Sequence, residues 1–307
     1  MTTWPPAAMA TLDIESTGVN VETARTVEIC LSLIVPGRPT DVRHAIVNPG
    51  VEIPQEAIDV HGITNELARA KGRAPAEALD LFLGDVALAI RSGMPLVIMN
   101  APYDLTVLDR DARRHDVPTL SDRLDGEIAP VLDPLVLDKR CIKYRRRVSD
   151  TQGARQLKTL CQVYGVPWDD EQAHGAAYDA LQAARVVWRI GQWSQKSAEE
   201  LAAMWVGPFD PPKPMHRNDV QAFRSLGRLD LAGVHAEQVA WYRAQTEDFA
   251  QWLRRAANEL EHQADSADDE EQREILRREH AETLARIDGL RFDWPMVPYA
   301  AREAVPA

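Results

Sequence analysis

Asp13 and Glu15, in the stretch TLDIESTG (residues 11–18), set two carboxylates into a segment that otherwise reads as a buried β-strand. Side chains two apart in a strand leave the same face, close enough to share a cation. A charged carboxylate taken out of water needs a partner, and one hard, oxygen-seeking ion would be such a partner. A second acid stands in VIMNAPYDLTVLDRD, where Asn100 ends an apolar run, Pro102 suits a first helical turn and Asp104 falls within that turn. A third group is AHGAAYDALQAARV, where His174 precedes Asp179 by five residues. If the helix starts near Ala176, His174 lies on the preceding loop and can swing over the cavity that Asp179 faces. Singly, each has a plain reading: an edge acid, an acid favoured by a helix dipole, an ordinary histidine. Together, four carboxylates and one histidine at strand ends and helix starts form a ligand set for two divalent metals plus a general base, the chemistry of phosphodiester cleavage.

The elements that must position these residues follow from pattern. Segments 8–15, 26–35 and 42–48 are rich in Val, Ile and Leu, are separated by turn residues, and are predicted as strands. A helix at 75–91, a strand at 96–99, a helix at 103–115, a short strand at 131–137 and helices at 155–164 and 176–193 follow. Three strands and then alternating helices and strands predict an α/β mixed sheet with helices on its faces. A helix near 197–205 precedes the proline-rich GPFDPPKPMHR, which marks a boundary, so residues 1–206 and 207–307 are expected as two units.

In the second unit, Val239, Tyr242, Thr246, Phe249, Leu253, Ala256 and Leu260 step by three and four, the seam of a long amphipathic helix. Ser266 is the expected N-cap of a second helix carrying Leu276, Thr283, Ile287 and Leu290. The two predict a helical hairpin with an acidic, solvated tip, ADSADDEE.

The 307-residue chain is 45% hydrophobic, with net charge −12 and pI about 5.2. Its N-terminus lacks the pattern of a signal peptide and no run is long enough to span a membrane, which predicts a soluble, cytoplasmic protein without membrane association. Three widely spaced cysteines, Cys30, Cys141 and Cys161, argue for buried thiols. So acidic a chain has no global attraction for nucleic acid, so a polyanion must be held by a local patch or by metal ions. DKRCIKYRRRVSDTQGARQLK supplies such a patch in Lys139, Arg140, Lys143, Arg145, Arg146, Arg147, Arg155 and Lys158.

Asp13 and Glu15 in DIESTG, Asn100 and Asp104 in NAPYD, and His174 with Asp179 resemble, in order and spacing, the three motifs of the DEDDh exonucleases of the DnaQ-like group, typified by the proofreading epsilon subunit of bacterial DNA polymerase III. IDVHGIT (58–64) resembles the element beside that family's nucleotide pocket, and DPLVLDK (133–139) its strand before the third motif. The resemblance covers about residues 8–190. It implies a ribonuclease H-like fold with a five-stranded mixed sheet, and hydrolysis from a 3′ end that releases nucleoside 5′-monophosphates. It also implies two divalent ions, Mg²⁺ or Mn²⁺, held by Asp13, Glu15, Asp104 and Asp179, with His174 taking a proton from the attacking water. Thr17, Gly18 and Val19 would lie against the terminal nucleotide, and Asn100 is carried over with the second motif. His61 would either meet the terminal sugar or phosphate or brace its loop, and Tyr103 would line the site or fill the core.

Three readings stay open on the sequence. The chain is a 3′–5′ exonuclease on single-stranded DNA in proofreading or repair, an exoribonuclease or oligoribonuclease with the same chemistry, or a nucleic-acid-binding scaffold. The C-terminal helices would dock on the catalytic unit, pair two copies, or recruit a polymerase or repair partner.

Overall fold

The computed structural model describes residues 3–173, 175–207 and 213–300. Strands β1 (Met9–Ser16), β2 (Thr26–Ile34) and β3 (Asp41–Ile46) form an antiparallel meander. Helices α1 (Gln55–His61), α2 (Asn65–Lys71) and α3 (Pro75–Arg91) lead to β4 (Leu96–Val97), which runs parallel to β1. Helices α4 (Ala101–Arg114) and α5 (Leu120–Leu124) lead to β5 (Val131–Leu132), parallel to β4. The five-stranded order is β3-β2-β1-β4-β5, so β1 is central and β5 is an edge. Helices α6 (Pro134–Cys141), α7 (Leu157–Tyr164), α8 (Ala176–Ser194) and α9 (Ala198–Ala202) follow. A small ribbon, β6 (Trp205–Val206) with β7 (Lys213–Pro214), then leads to α10 (Arg217–Leu226), α11 (Leu231–Ser266) and α12 (Glu270–Asp288). This is the mixed, helix-flanked sheet of a ribonuclease H-like fold.

Two cores sandwich the sheet. Leu12 and Ile14 of β1 pack on one face with Leu79 and Phe82 of α3 and Leu105 and Leu108 of α4. The opposite face packs Val97 and Leu132 against Leu137, Leu160, Val187 and Phe223 from α6, α7, α8 and α10. Strand alternation therefore turns Thr11, Asp13 and Glu15 toward α8, and Thr11 Oγ1 donates to the Ala180 carbonyl at 2.7 Å. Cys30, Cys141 and Cys161 are free and buried, and among the described residues no helix is long and apolar enough to cross a membrane.

Several boundaries differ from expectation. The strand expected at 131–137 is two residues long, because Asp133 caps the Leu135 N–H at 2.8 Å and Pro134 opens α6; DPLVLDK is thus a cap and a helix. Ser266 is the last residue of α11, its hydroxyl bonded back to His262 O, and the N-cap of α12 is Asp269. The buried stripe of the distal part of α11 runs through Ala250, Leu253, Ala257 and Ala264, and turns Phe249 outward.

The segment after 213 packs into the same cores. Leu231 and Val234 belong to the second and Trp294 to the first. His235 Nδ1 accepts from Val131 N–H (3.0 Å), Gln238 Oε1 accepts from Asp133 N–H (2.9 Å), and Gln238 Nε2 donates to Val131 O (2.9 Å). Beyond α12 the chain returns to α4, where Val297 N–H donates to Thr106 Oγ1 (3.0 Å) and Tyr299 lies under Arg110 and Arg113.

Candidate active site

β1 and β4 run parallel and adjacent, with Val97 at the end of β4 opposite Thr11, so the chain leaves β4 beside the C-terminal half of β1 and α4 begins shortly after. A register shift between Glu15 and Ser16 interrupts the β1–β2 ladder immediately after the second acid, the kind of bulge that re-aims a chain beside a site. The start of α4 is tightly specified. Asn100 takes the left-handed conformation (φ 61°, ψ 49°), and the buried Asp133 carboxylate accepts both the Asn100 (3.2 Å) and Ala101 (3.0 Å) N–H groups. Asp104 follows in the first turn, 4% exposed, and its Oδ1 accepts from Ile14 N–H at 3.3 Å, fastening α4 to the strand between Asp13 and Glu15. Asp179 enters from the opposite layer in the first turn of α8. His174, the expected base, lies outside the described residues; Gly175, next in the chain, caps α8.

The electrostatics show that these acids share one environment. Burial pushes the Asp13 carboxyl well up, and the charges that add to this are all carboxylates: Asp104, Glu15, Asp179 and Glu28. Glu15 is raised to about 8 by burial, then by Glu28 and Asp179. Asp104 is also raised by burial, against the Ile14 N–H bond that lowers it, and Asp133 rises by burial to about 6. Like charges in a desolvated space each favour protonation, and a divalent cation relieves all of them. The hard oxygen donors of Asp13, Glu15, Asp104 and Asp179 suit such an ion. Among the described residues no three His, Cys, Asp or Glu side chains form a ready-made cage; Mg²⁺ does not need one, since it keeps several waters and takes one or two carboxylates.

Glu28, which the motif reading did not single out, is the cross-strand partner of Glu15. One oxygen meets His44 Nε2 at 2.6 Å and the other accepts the Ala176 N–H, the first of α8, at 3.2 Å. It thus ties β2 to the helix that carries Asp179. The signal was present in TVEICLSLIV, an acid inside an apolar strand, the same anomaly that exposed Asp13 and Glu15.

Beside the acids lies a cavity of about 380 Å³, lined by Glu15, Thr17, Gly18, Val19, His61 and Tyr103 with Pro54, Ala57 and Val60. Val19 is 92% exposed at its rim. The Tyr103 hydroxyl donates to Gly18 O at 2.5 Å and bonds Ser16 Oγ, so Tyr103 shapes the loop between β1 and β2 as well as lining the cavity. His61 Nδ1 accepts from Ile63 N–H at 3.0 Å, and burial lowers its pKa. Asn100 and Tyr103 also line a neighbouring cavity.

The basic stretch divides. Arg145, its side chain 1% exposed, forks onto the fully buried Asp138 (2.6 and 3.0 Å), which also takes Arg155 Nε (3.0 Å) and the Tyr164 hydroxyl (2.9 Å). Arg145 therefore braces the loop and offers no surface to a phosphate, a correction to its place among the substrate contacts. Lys139, Arg140 and Lys143 line a cavity between α6, α10 and α11. Arg146 and Arg147 are exposed and line none of the cavities described here; Arg147 bonds the Ser149 and Asp150 carbonyls.

A mixed sheet of this order, with acids converging from the ends of its central strands and from two helix starts, defines a ribonuclease H-like nuclease. The exonuclease family model RNase_T matches residues 11–187. DNA polymerase III subunit epsilon of Rickettsia conorii is 30% identical over 184 residues, covering 57% of this chain and 70% of that protein. Its namesake in Haemophilus influenzae is 28% identical over 181 residues, covering 57% and 64%. The structure of a moderately thermophilic Exonuclease I from Methylocaldum szegediense shares the fold, with a TM-score of 0.50 at 16% identity; the match covers 61% of this chain and 40% of that one. The chain belongs to this exonuclease family, in its DnaQ-like 3′–5′ branch.

Proposed function

We propose that the chain hydrolyses single-stranded DNA from the 3′ end to nucleoside 5′-monophosphates, with two Mg²⁺ or Mn²⁺ ions held by Asp13, Glu15, Asp104 and Asp179. The observation that carries this reading is the convergence of Asp13, Glu15 and Asp104, with Asp104 bonded to the strand between the other two, where burial and neighbouring carboxylates push each carboxyl up. Two such ions, when bound, stabilise the attacking and leaving oxygens of a phosphoryl displacement. The remaining work falls to this chain's side chains. Thr17, Gly18, Val19 and His61 seat the terminal nucleotide in the 380 Å³ cavity, the Tyr103 hydroxyl holds the loop that forms it, and His174 takes the proton of the attacking water. Histidine titrates where a base at neutral pH should. Similarity to proteins named DNA polymerase III subunit epsilon supports DNA as the substrate, and a proofreading or repair role would go with it.

A gel time course with 5′-labelled single-stranded DNA and the matching RNA, each with Mg²⁺, Mn²⁺ or EDTA, tests the reading. A metal-dependent ladder shortening from the 3′ end, faster on DNA, is expected. Faster loss of RNA would reassign the substrate, and persistence of both would overturn the catalytic reading.

A further inference from the structure

Three cavities lie in series. The terminal-nucleotide cavity shares Tyr103 with a second, of about 490 Å³, between α4, α6 and the helical hairpin. That second cavity shares Lys139 and Gln245 with a third, of about 560 Å³, between α6, α10 and α11. Each is in the size range of a small-ligand site, and the shared lining residues set them next to one another in a row leading away from the acids.

The far wall of this row is the C-terminal segment, with Trp241, Tyr242 and Phe249 in the lining and Trp252 beside Phe249 at its rim. Phe249, 36% exposed, stacks on Trp252, 55% exposed, with ring centroids 5.8 Å apart and planes at 10°, and Arg286 of α12 lies 5.9 Å from the Phe249 ring. Further along, Arg140 lies over Trp241 (5.3 Å), and Lys143 lies beside Tyr144 (5.6 Å), whose ring is 85% exposed. Cations paired with solvent-facing rings along a groove are what unpaired bases and their phosphates require: every base has a face to stack, and the backbone is a continuous anion. Asp219 and Asp248 are the acids that line the third cavity. Asp248 is held by Lys143 at 2.8 Å with both side chains about half exposed, a pair weak enough in water for a phosphate to replace. Lys139, Arg140, Lys143, Arg155 and Arg291 line the second and third cavities in a chain of net charge −12.

We infer that the helical hairpin is the outer wall of a single-strand channel, in which nucleotides 5′ of the scissile one stack on Phe249, Trp252 and Tyr144 and lay their phosphates along Lys139, Arg140 and Lys143. The inference rests on the exonuclease reading of the site and extends it to this chain's own C-terminal segment.

The test separates the two. Full-length protein and the variant Phe249→Ala/Trp252→Ala are compared on the p-nitrophenyl ester of thymidine 5′-monophosphate, which fills only the terminal cavity, and on dT4 and dT20. Binding of fluorescein-labelled dT20 is followed by anisotropy with Ca²⁺ in place of Mg²⁺. The expected result is an affinity loss for dT20 of about tenfold or more, as base–aromatic stacking predicts, with a KM defect that grows from ester to dT4 to dT20. Tyr144→Ala adds a further loss. Trp188→Ala, an exposed ring on α8 outside this row of cavities, binds dT20 as wild type does. Equal dT20 binding by wild type and the double variant would overturn the channel and leave those rings to a protein partner. Failure of wild type to cleave even the ester would overturn the catalytic reading, while the anisotropy arm still decides the channel.

Discussion

Two aspartates of this chain receive opposite treatment. Asp138 is wholly enclosed and fully answered, with two arginines and a tyrosine hydroxyl on its oxygens. Asp13 is surrounded by other acids, and the strongest charges acting on it are Asp104, Glu15, Asp179 and Glu28. Burial alone therefore does not mark a functional acid in this protein. The sign of the neighbours does, because a carboxylate answered by cations contributes to the fold while a cluster of like charges destabilises it until a cation arrives.

The comparison breaks most sharply at Asp13. Asp13→Asn should abolish essentially all hydrolysis and at the same time raise the melting temperature in EDTA, since one repelling charge is gone; an active variant, or one less stable without metal, would refute the contrast. His174→Ala, next in size, should slow hydrolysis roughly 10²–10⁴-fold, the usual worth of a positioned base, with dT20 affinity retained; an unchanged rate between pH 6 and 9 would make that histidine structural. Asp138→Ala should leave Arg145 unanswered in the interior and destabilise the fold by about 3–5 kcal/mol in urea titrations, the reverse of the Asp13→Asn effect. The smallest effect is a pH slope. Glu15 rises from 4.5 to about 8 on folding, so the folded state takes up a proton that the unfolded chain has released. Its contribution is present below about pH 4.5 and lost as pH climbs toward 8. The metal-free protein should therefore melt at a lower temperature at pH 8.5 than at pH 6. Glu15→Gln should flatten that slope, and saturating Mn²⁺ should abolish it.

Much of this was legible in the sequence. The first three strands, the strand before Asp104 and the helix beginning near Asp179 follow from local periodicity and capping residues, and the acid motifs stood out as charge inside apolar strands. Glu28 was equally anomalous, but it has no second acid two residues away to draw attention to it. DPLVLDK looked like a strand because its apolar density outweighed the Asp-Pro start signal. Ser266 failed as a cap because its hydroxyl was satisfied within the helix already running. Pairings across long separations, such as Gln238 with the β5 backbone or Phe249 lining the same cavity as Tyr103, leave no local trace, since a helix seam read from spacing fixes a stripe only to within one residue of rotation.

The Gln238 and His235 contacts carry a further consequence. β5 is the last strand of the sheet, and the backbone groups an edge strand leaves open invite pairing with another chain. α11 closes them with side chains. A protein cut after α10 would retain every acid of the site and still present a raw sheet margin, so its shortfall would show as self-association and low solubility before any change in catalytic chemistry.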